Sequence, residues 1–304
     1  MLVKPLCEVV LWTLAAPRLL FPIDFNAPRA YPLNSLSSNS LVVGDFNGDH
    51  IPDLAVTAYD IIGLNQGSGV EIFLGGANGL FHAGGIYQLP SFPGISSSSI
   101  VAGDFNHDGN LDLATVTQVG VSILFGNGDG TFQPSVNYSA GTFPTAVAMS
   151  DFNGDGNLDL AISNQNSNNV SILLGQADGT FQPAVNYAVG VQPVYVAAGE
   201  FNHDGTPDLV VANYDKNGYG TVSILFGVGD GTFHAAVNHK VGLYPQSIAV
   251  ADYNRDGKDD LAITHAGGGG LSIMLALRAG AFAPPVTVAT YDPLRLPVRP
   301  SPYR

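Results

Sequence analysis

Acidic and amide side chains recur at alternate positions in one short stretch near the middle of the chain, residues 151–159. Its positions one, three, five and nine carry oxygen-bearing side chains: Asp151, Asn153, Asp155 and Asp159. Gly156 follows the third of them, where the chain must bend, and Asn157 at position seven would add a backbone carbonyl oxygen. This order of donors suits a hard cation, because Ca²⁺ takes about 6–8 oxygen ligands and one loop can supply most of them. The stretch therefore predicts a Ca²⁺ site.

The same spacing occurs four more times. The corresponding residues, with the position-seven carbonyl donor where we assign one, are Asp45, Asn47, Asp49 and Asp53; Asp104, Asn106, Asp108, Asn110 and Asp112; Glu200, Asn202, Asp204, Thr206 and Asp208; and Asp252, Asn254, Asp256, Lys258 and Asp260. A single loop of this kind is often only a solvated turn, because Asp, Asn and Gly favour turns. Five copies, roughly 50 residues apart, form a repeat that is typical of a solenoid or a propeller.

The charge of the chain is concentrated in these loops. The sequence has 25 acidic and 11 basic residues, which give a formal net charge of −14. Sixteen of the acids and two of the bases lie in the five loops, so the loops carry the whole net charge. Carboxylates this close together repel one another unless a cation neutralises them. The charge distribution therefore favours the metal-site interpretation over that of plain turns.

Composition also limits the classes of partner. The acidic balance argues against nucleic acid and against anionic membrane surfaces, and no apolar run reaches the ~18 residues that insertion as a membrane helix needs. A single cysteine, Cys7, excludes an intramolecular disulfide and leaves the compartment open. Because loops of modest Ca²⁺ affinity are useful mainly where Ca²⁺ is plentiful, we expect an extracellular or cell-surface location. No sequence signature of a catalytic site is present, and we expect no catalytic residues.

Short apolar, β-branched runs bounded by Gly, Asn, Asp or Pro predict strands throughout. The third repeat has four of them, at 146–149, 160–162, 170–174 and 184–187. An Asp-Gly or Asn-Gly turn joins the last two strands of four repeats, which is a strong hairpin signal. An aromatic residue follows the turn in all five, and we expect it to pack between neighbouring sheets: Phe81, Phe132, Phe181, Phe233 and Phe282.

The DFNGDGNLDLA loop, the SILLG strand and the DGTF turn together resemble FG-GAP/VCBS repeats, such as those of the integrin α-chain head. The resemblance covers about residues 21–290 and implies an all-β, Ca²⁺-binding β-propeller of four-stranded blades, commonly seven-bladed. Five full repeats are present, and residues 25–33 are predicted to be the last strand of a partial N-terminal one. We expect an incomplete ring or an open arc rather than a sealed five-blade ring. Residues 1–20 are predicted to be signal-like or disordered, and the Pro-rich 291–304 to be a disordered tail.

Three loops depart from the repeat pattern. His50 replaces a glycine in the first loop and predicts a strained turn, whereas Glu200 shifts the first carboxylate of the fourth. The fifth loop contains Arg255 and Lys258 and is expected to bind Ca²⁺ most weakly. The second and third loops are the most complete.

The parity of an up-and-down sheet places the metal loops and the DG turns on one side and the other connections on the opposite side, the variable face. Its segments are 57–69, 118–120, 163–169, 213–220, 265–270, 90–99, 141–144, 190–193 and 242–245. Loop variation confined to one face often marks the binding face. The face also has aromatic side chains able to stack on a ligand: Tyr59, Phe143, Tyr214, Tyr219 and Tyr244.

Two classes of function remain open. We favour a non-enzymatic module, used in binding or adhesion, that recognises a glycan or protein ligand on the variable face. The alternative is a lyase-like enzyme acting on polysaccharides, which the resemblance also allows.

Overall fold

The computed structural model describes residues 30–31, 33, 38–58, 67–90, 99–215, 219–266, 270–277 and 280–288. The chain divides into two compact units, Met1–Pro32 and Leu33–Arg304, and every strand described below belongs to the second. The predicted N-terminal segment 1–20, the C-terminal tail 291–304 and most of the predicted strand 25–33 lie outside the described residues.

The second unit is built from five antiparallel sheets of four strands each, which we number as blades along the chain. The first blade contains β1 (Leu41–Gly44), β2 (Asp53–Ala58), β3 (Gly69–Gly75) and β4 (Phe81–Gln88). The second contains β5 (Ile100–Gly103), β6 (Asp112–Thr117), β7 (Gly120–Leu124) and β8 (Val136–Ser139). The third contains β9 (Pro144–Ser150), β10 (Asp159–Asn164), β11 (Asn169–Leu173) and β12 (Val185–Ala188).

The fourth blade contains β13 (Pro193–Gly199), β14 (Asp208–Asn213), β15 (Gly220–Leu225) and β16 (Val237–Gly242). The fifth contains β17 (Pro245–Ala251), β18 (Asp260–His265), β19 (Leu271–Met274) and β20 (Val286–Val288). Each strand pairs with the next one along the chain, so every blade is an up-and-down sheet. The all-β, four-stranded repeat predicted from the sequence is confirmed, and no helix occurs among the described residues.

The hydrophobic core lies between neighbouring blades, because each of their middle strands is apolar on both faces. In β10, Leu160 and Ile162 pack against residues of the second blade, whereas Ala161 points the other way, towards the fourth. Alternate side chains of a strand point to opposite faces of its sheet, so the third blade is held from both sides. A single blade would leave these apolar faces in water, and the repeats therefore stabilise one another.

The ring of blades is not closed. Leu41, on the innermost strand of the first blade, is 56% exposed, whereas its equivalents in the other four blades are buried: Ile100, Val147, Val196 and Ile248. Each of these four packs on the blade that precedes it. The expectation of an incomplete ring is thus confirmed. Among the residues that the structure describes, the first blade has no packed blade on the face of β1 that carries Leu41.

Candidate calcium loops and the variable face

The five acidic loops share an unusual backbone. In the third loop, the residues at positions four and six, Gly154 and Gly156, have φ of 74° and 87°. Left-handed backbone of this kind costs glycine little and other residues more. His50, at position six of the first loop, adopts a φ of 64°, so the strain expected from its replacement of a glycine is present.

The acid at position one folds back over its own loop. Asp151 accepts backbone N–H bonds from Gly154 at 2.7 Å and from Gly156 at 2.9 Å, one on each carboxylate oxygen. Glu200 accepts the same two amides in the fourth loop, from His203 at 2.6 Å and from Gly205 at 2.8 Å. The longer side chain of Glu200 therefore keeps the same two hydrogen-bond donors.

Positions three and five are linked in the same way in all five loops. The Asn153 side-chain oxygen accepts the Asp155 N–H at 3.0 Å, and its amide donates to Asp155 Oδ2 at 2.9 Å. Asp155 Oδ1 accepts the Asn157 N–H at 2.8 Å, and this bond is the main reason that the pKa of Asp155 is lowered. The hydrogen bond from the position-five backbone N–H to the position-three side-chain oxygen recurs in the other four loops, at Asn47, Asn106, Asn202 and Asn254.

The acids at position nine are fully buried, and each bridges two backbone segments. Asp159 Oδ2 accepts the Phe152 N–H at 2.8 Å, and Oδ1 accepts the Gly175 N–H at 2.7 Å. The same pair of bonds is made by Asp53, Asp112, Asp208 and Asp260. Position nine therefore ties the loop to the end of the third strand of its blade, a structural role that the metal-ligand prediction did not include.

Burial also changes the acidity of the position-nine group. Loss of water contact raises the pKa of Asp112, Asp159 and Asp208 to about 6, against the lowering effect of their two backbone N–H bonds. The neighbouring acids at positions one and five raise it further, since like charges disfavour ionisation. A cation bound in the loop would favour the ionised form of these carboxylates.

The donor set of the loops fits a hard cation, although their side chains face backbone amides. Asp151, Asn153 and Asp155 all carry side-chain oxygen atoms, the ligands that Ca²⁺ prefers, although the Asn153 amide nitrogen donates to Asp155. A carboxylate has about four acceptor sites, so an oxygen that accepts one N–H can still take a ligand bond. In the described part of the chain, no group of three or more Asp, Glu, His or Cys side chains is arranged to hold a metal ion. Calcium ligation by the residues named above stays a prediction.

The first four acidic loops each contact the hairpin turn of the following blade or the aromatic residue after it. The Gly231 N–H donates to the Phe152 carbonyl at 3.1 Å, and the Gly130 N–H donates to the Phe46 carbonyl at 2.9 Å. The aromatic residue after the turn, Phe132, stands edge-on to Phe46 and Tyr87 of the preceding blade, with centroids 5.6 and 5.4 Å apart. The prediction that the turn aromatics pack between sheets is confirmed for the second to fifth blades, whereas the half-buried Phe81 of the first blade belongs to none of the described core clusters. Loops and turns lie on the same side.

Comparison with known protein families agrees with this repeat geometry. The FG-GAP-like repeat profile matches residues 58–115, 109–162, 151–211 and 200–263, and the FG-GAP repeat profile matches residues 38–69. The chain belongs to the FG-GAP repeat family. The last match ends inside the fifth FG-GAP unit, whose loop departs furthest from the pattern.

Solved structures show similarity at low sequence identity. A protein of unknown function from Desulfotomaculum acetoxidans is 16% identical, with a TM-score of 0.56 over 81% of this chain and 68% of that one. A lectin of Agrocybe aegerita, described as recognising non-reducing terminal N-acetylglucosamine, is 17% identical, with a TM-score of 0.43 over 83% of this chain and 80% of that one. The search of curated proteins found no match. No helix among the described residues has the length and apolar character of a membrane span.

The fifth FG-GAP loop differs from the others in two contacts. Lys258 Nζ lies 2.8 Å from Asp256 Oδ2, and this hydrogen bond holds the pKa of Asp256 below its usual value. Position two carries Tyr253, which is 45% exposed, where the other four loops have buried phenylalanines. An internal cation thus already pairs with one of the predicted Ca²⁺ ligands in this loop.

The variable face of the FG-GAP blades carries the aromatic residues predicted to bind a ligand. Tyr214 and Tyr244 stack on each other, with ring centroids 4.9 Å apart and an interplanar angle of 28°. Tyr219 is exposed and Phe143 is half-buried, whereas Tyr59 lies outside the described residues. Two of the five predicted aromatics are therefore brought together across the junction of the fourth and fifth blades.

The links between FG-GAP blades contain a strained residue that sequence reasoning missed. The residue before the proline that opens the inner strand has positive φ in three consecutive links: Phe143 at 59°, Gln192 at 56° and Tyr244 at 53°. Each of their carbonyls accepts an N–H, at 2.8–2.9 Å, from the connection after the second strand of the blade that the link opens. This conformation is unfavourable for non-glycine residues, and Pro144, Pro193 and Pro245 are the sequence signal that could have drawn attention to it.

Proposed function

We propose that this FG-GAP protein is a non-enzymatic, Ca²⁺-binding module that recognises a glycan or protein ligand outside the cell or on its surface. The observation that carries the proposal is the division between two faces of the same blades. One side repeats the same acidic loop five times, whereas the other presents loops of different length with half-buried and exposed aromatic residues.

The loop side supplies stability in this proposal. Asp151, Asn153 and Asp155 of the third loop, with their counterparts in the other loops, would hold Ca²⁺, and the ion would neutralise carboxylates that otherwise repel one another. The residues at position nine would keep each loop attached to its own blade. FG-GAP repeats are typical of extracellular and surface proteins, where free Ca²⁺ is sufficient for such loops, and this supports the proposed location.

The variable face supplies recognition. Rings held rigidly in place offer large apolar surfaces at little entropic cost, and tyrosine adds a hydroxyl group at the edge. The stacked Tyr214 and Tyr244 form such a surface, and exposed Tyr219 lies in the connection that leads into β15. Their position supports binding of a ligand with apolar and polar groups on one side, such as a sugar ring or a peptide.

A glycan array, read with Ca²⁺ and with chelator, tests the binding function, and a parallel capture of surface proteins tests the protein alternative. We expect Tyr219→Ala and Tyr214→Ala to weaken binding, with Tyr253→Ala on the opposite side as the matched control. Absence of any glycan or protein ligand in Ca²⁺ would contradict the binding function. Release of products from polyuronic acids would replace it with the lyase-like enzyme.

A further inference from the structure

A cavity of about 600 Å³ lies where the innermost strands of the five blades begin. Every blade contributes to its wall, with residues at 39–41, 99–101, 143–147, 194–195 and 246–247, together with Gln165 from the loop after β10. The stacked Tyr214 and Tyr244 and the acidic loops are not among the lining residues. The cavity is therefore separate from the tyrosine pair and from the acidic loops, and it opens on the variable face, to which its lining residues Phe143 and Gln165 belong.

The wall of this cavity carries no charge. Its described lining residues include no Asp, Glu, His, Lys or Arg, in a chain with a net charge of −14. The polar lining side chains are hydroxyls and amides: Asn39, Ser40, Ser99, Thr145, Gln165, Tyr195, Gln246 and Ser247. A wall without basic groups offers an anionic ligand no ion pair, and the negative net charge of the chain repels it, so the wall selects against polyuronates and phosphates.

The lining groups fall into a fixed set and an available set. Thr145 Oγ1 lies 2.9 Å from Ser163 Oγ, and Ser99 Oγ accepts the Val147 N–H at 3.2 Å, so both hydroxyls are part of the framework. In the part of the chain that the structure describes, the side chains of Gln165, Gln246 and Ser247 make no hydrogen bond, and neither does the Tyr195 hydroxyl. Amides and hydroxyls can both donate and accept, as sugar hydroxyls do.

The repeats diverge where they face this cavity. In each blade, one residue directly precedes the aliphatic residue of the innermost strand that is equivalent to Leu41. From the first blade to the fifth, this residue is Ser40, Ser99, Ala146, Tyr195 and Ser247. The next position is always a large aliphatic residue, because it packs between blades. Three of these equivalent positions carry serine and two do not, since the third blade has alanine and the fourth has tyrosine. The wall is therefore asymmetric, which suits one ligand in one orientation rather than a ligand on a symmetry axis.

We propose that this cavity binds a neutral saccharide, of one or two sugar units, and this rests on the glycan-binding function proposed above. Its volume is within the range of roughly 300–1,000 Å³ for small-molecule sites, which are typically apolar with a few convergent polar groups. Phe143 and Tyr195 give ring surfaces for the C–H face of a sugar, and Gln165, Gln246 and Ser247 give hydrogen bonds to its hydroxyls.

Isothermal titration of the full chain in Ca²⁺ tests the cavity, with glucose, galactose, mannose, N-acetylglucosamine and their disaccharides as neutral ligands and digalacturonate as the charged one. We expect a neutral sugar to bind at one site per chain, with an affinity that does not change between low and high salt, because no ion pair is involved. We expect no binding of digalacturonate.

The decisive variant is Gln165→Ala combined with Gln246→Ala, since neither side chain has a hydrogen bond that holds the fold. It should lower the affinity about tenfold or more and leave the melting temperature unchanged. Gln133→Ala, an exposed glutamine away from the cavity, is the matched control and should bind as the unmodified chain does. Tyr195→Phe, which removes only a hydroxyl, should weaken binding without loss of packing.

The outcomes separate this proposal from the proposed function. If a neutral glycan binds equally well to the double variant but is lost in Tyr214→Ala, the cavity proposal is wrong and the binding function stands on the tyrosine pair. Preferential binding of digalacturonate would also overturn the cavity proposal. If no glycan binds in titration or on the array, both the cavity and the glycan form of the function are wrong.

Discussion

The ring of Phe233 stands edge-on to the ring of Phe152, with centroids 5.4 Å apart and an interplanar angle of 71°. Phe233 follows the hairpin turn of the fourth blade, and Phe152 occupies position two of the acidic loop of the third. Tyr187 completes the contact at 5.6 Å from Phe233, and the Phe152 carbonyl accepts the Gly231 N–H. The loop predicted to bind Ca²⁺ and the next blade are thus joined at one point, so the conformation of the loop affects the packing between blades.

Replacement of Phe233 by alanine should lower the free energy of unfolding by about 3–5 kcal/mol, because it removes a buried aromatic side chain and leaves a cavity between two blades. Urea denaturation of the purified chain measures the change. Val185→Ala, at an exposed position of outer strand β12, is the control and should change the stability little. An equal effect of the two substitutions would contradict the assignment of Phe233 to the core.

Calcium should raise the melting temperature relative to chelator. An ion bound only by the folded chain stabilises it by about 2.7 kcal/mol per site at 100 times its Kd. Asp155→Ala and Asp108→Ala should each remove more of this increment than Asp256→Ala does, because Lys258 already pairs with Asp256 at 2.8 Å. Identical melts in chelator and in excess Ca²⁺ would argue against metal binding, and the reverse order of the variants against the ranking of the loops.

Asp159→Asn should destabilise the chain both with and without Ca²⁺. The asparagine amide group would face one of the two backbone N–H groups that the carboxylate now accepts, from Phe152 and Gly175, and an unsatisfied buried donor costs about 1–3 kcal/mol. Asp155→Asn, in an exposed position of the same loop, should act mainly when Ca²⁺ is present. If Asp159→Asn has no effect in chelator, position nine has no structural role of its own.

In chelator, the free energy of unfolding should fall as pH rises from about 4.5 to 7. The pKa of Asp112, Asp159 and Asp208 is raised to about 6 in the folded chain, above the roughly 3.9 of an unfolded aspartate. The folded state therefore holds more protons in this interval, and stability present below about pH 4 is lost as pH passes 6. Groups with lowered pKa, such as Asp129 and Asp178, act only at lower pH.

Denaturation curves at pH 4.5, 5.5 and 7 check this dependence. The pKa of His239 is lowered by burial, so this residue makes stability rise with pH. Its single contribution is opposed by those of the three aspartates. Excess Ca²⁺ should weaken or reverse the slope, because the ion binds the ionised carboxylates. Asp112→Asn, which removes one of the three titrating groups, should show a smaller slope than the unmodified chain. A stability that rises with pH in chelator would contradict the raised pKa values.

Much of the fold was readable from local patterns. The short apolar runs, such as 160–162, and the Asp-Gly turns placed the strands of each repeat close to their observed bounds. The spacing of Phe181 and its equivalents after the turns predicted their packing between sheets. These features could be predicted because apolar runs and hairpin turns depend on residues near one another in the sequence. Five repeats also show the same pattern five times.

The structural role of position nine, which joins two backbone segments in addition to its predicted role as a metal ligand, could not be predicted in the same way. Asp159 is spaced like a ligand, yet its two hydrogen-bond donors come from the loop and from Gly175, beyond the next strand. Similarly, the pairing of Tyr214 with Tyr244 joins residues 30 positions apart in sequence. Such contacts depend on how strands of one blade, or two neighbouring blades, come together.

The sequence by itself determined the repeat, the four-stranded blade, the acidic loops and the side of the sheet on which they lie, since all of these follow from short-range spacing and strand parity. Only the tertiary structure decided that Leu41 is exposed while its four equivalents are buried. It also decided that the beginnings of five inner strands enclose an uncharged cavity. Both depend on the angle and distance between whole blades, which arise from packing summed over many side chains rather than from any one motif.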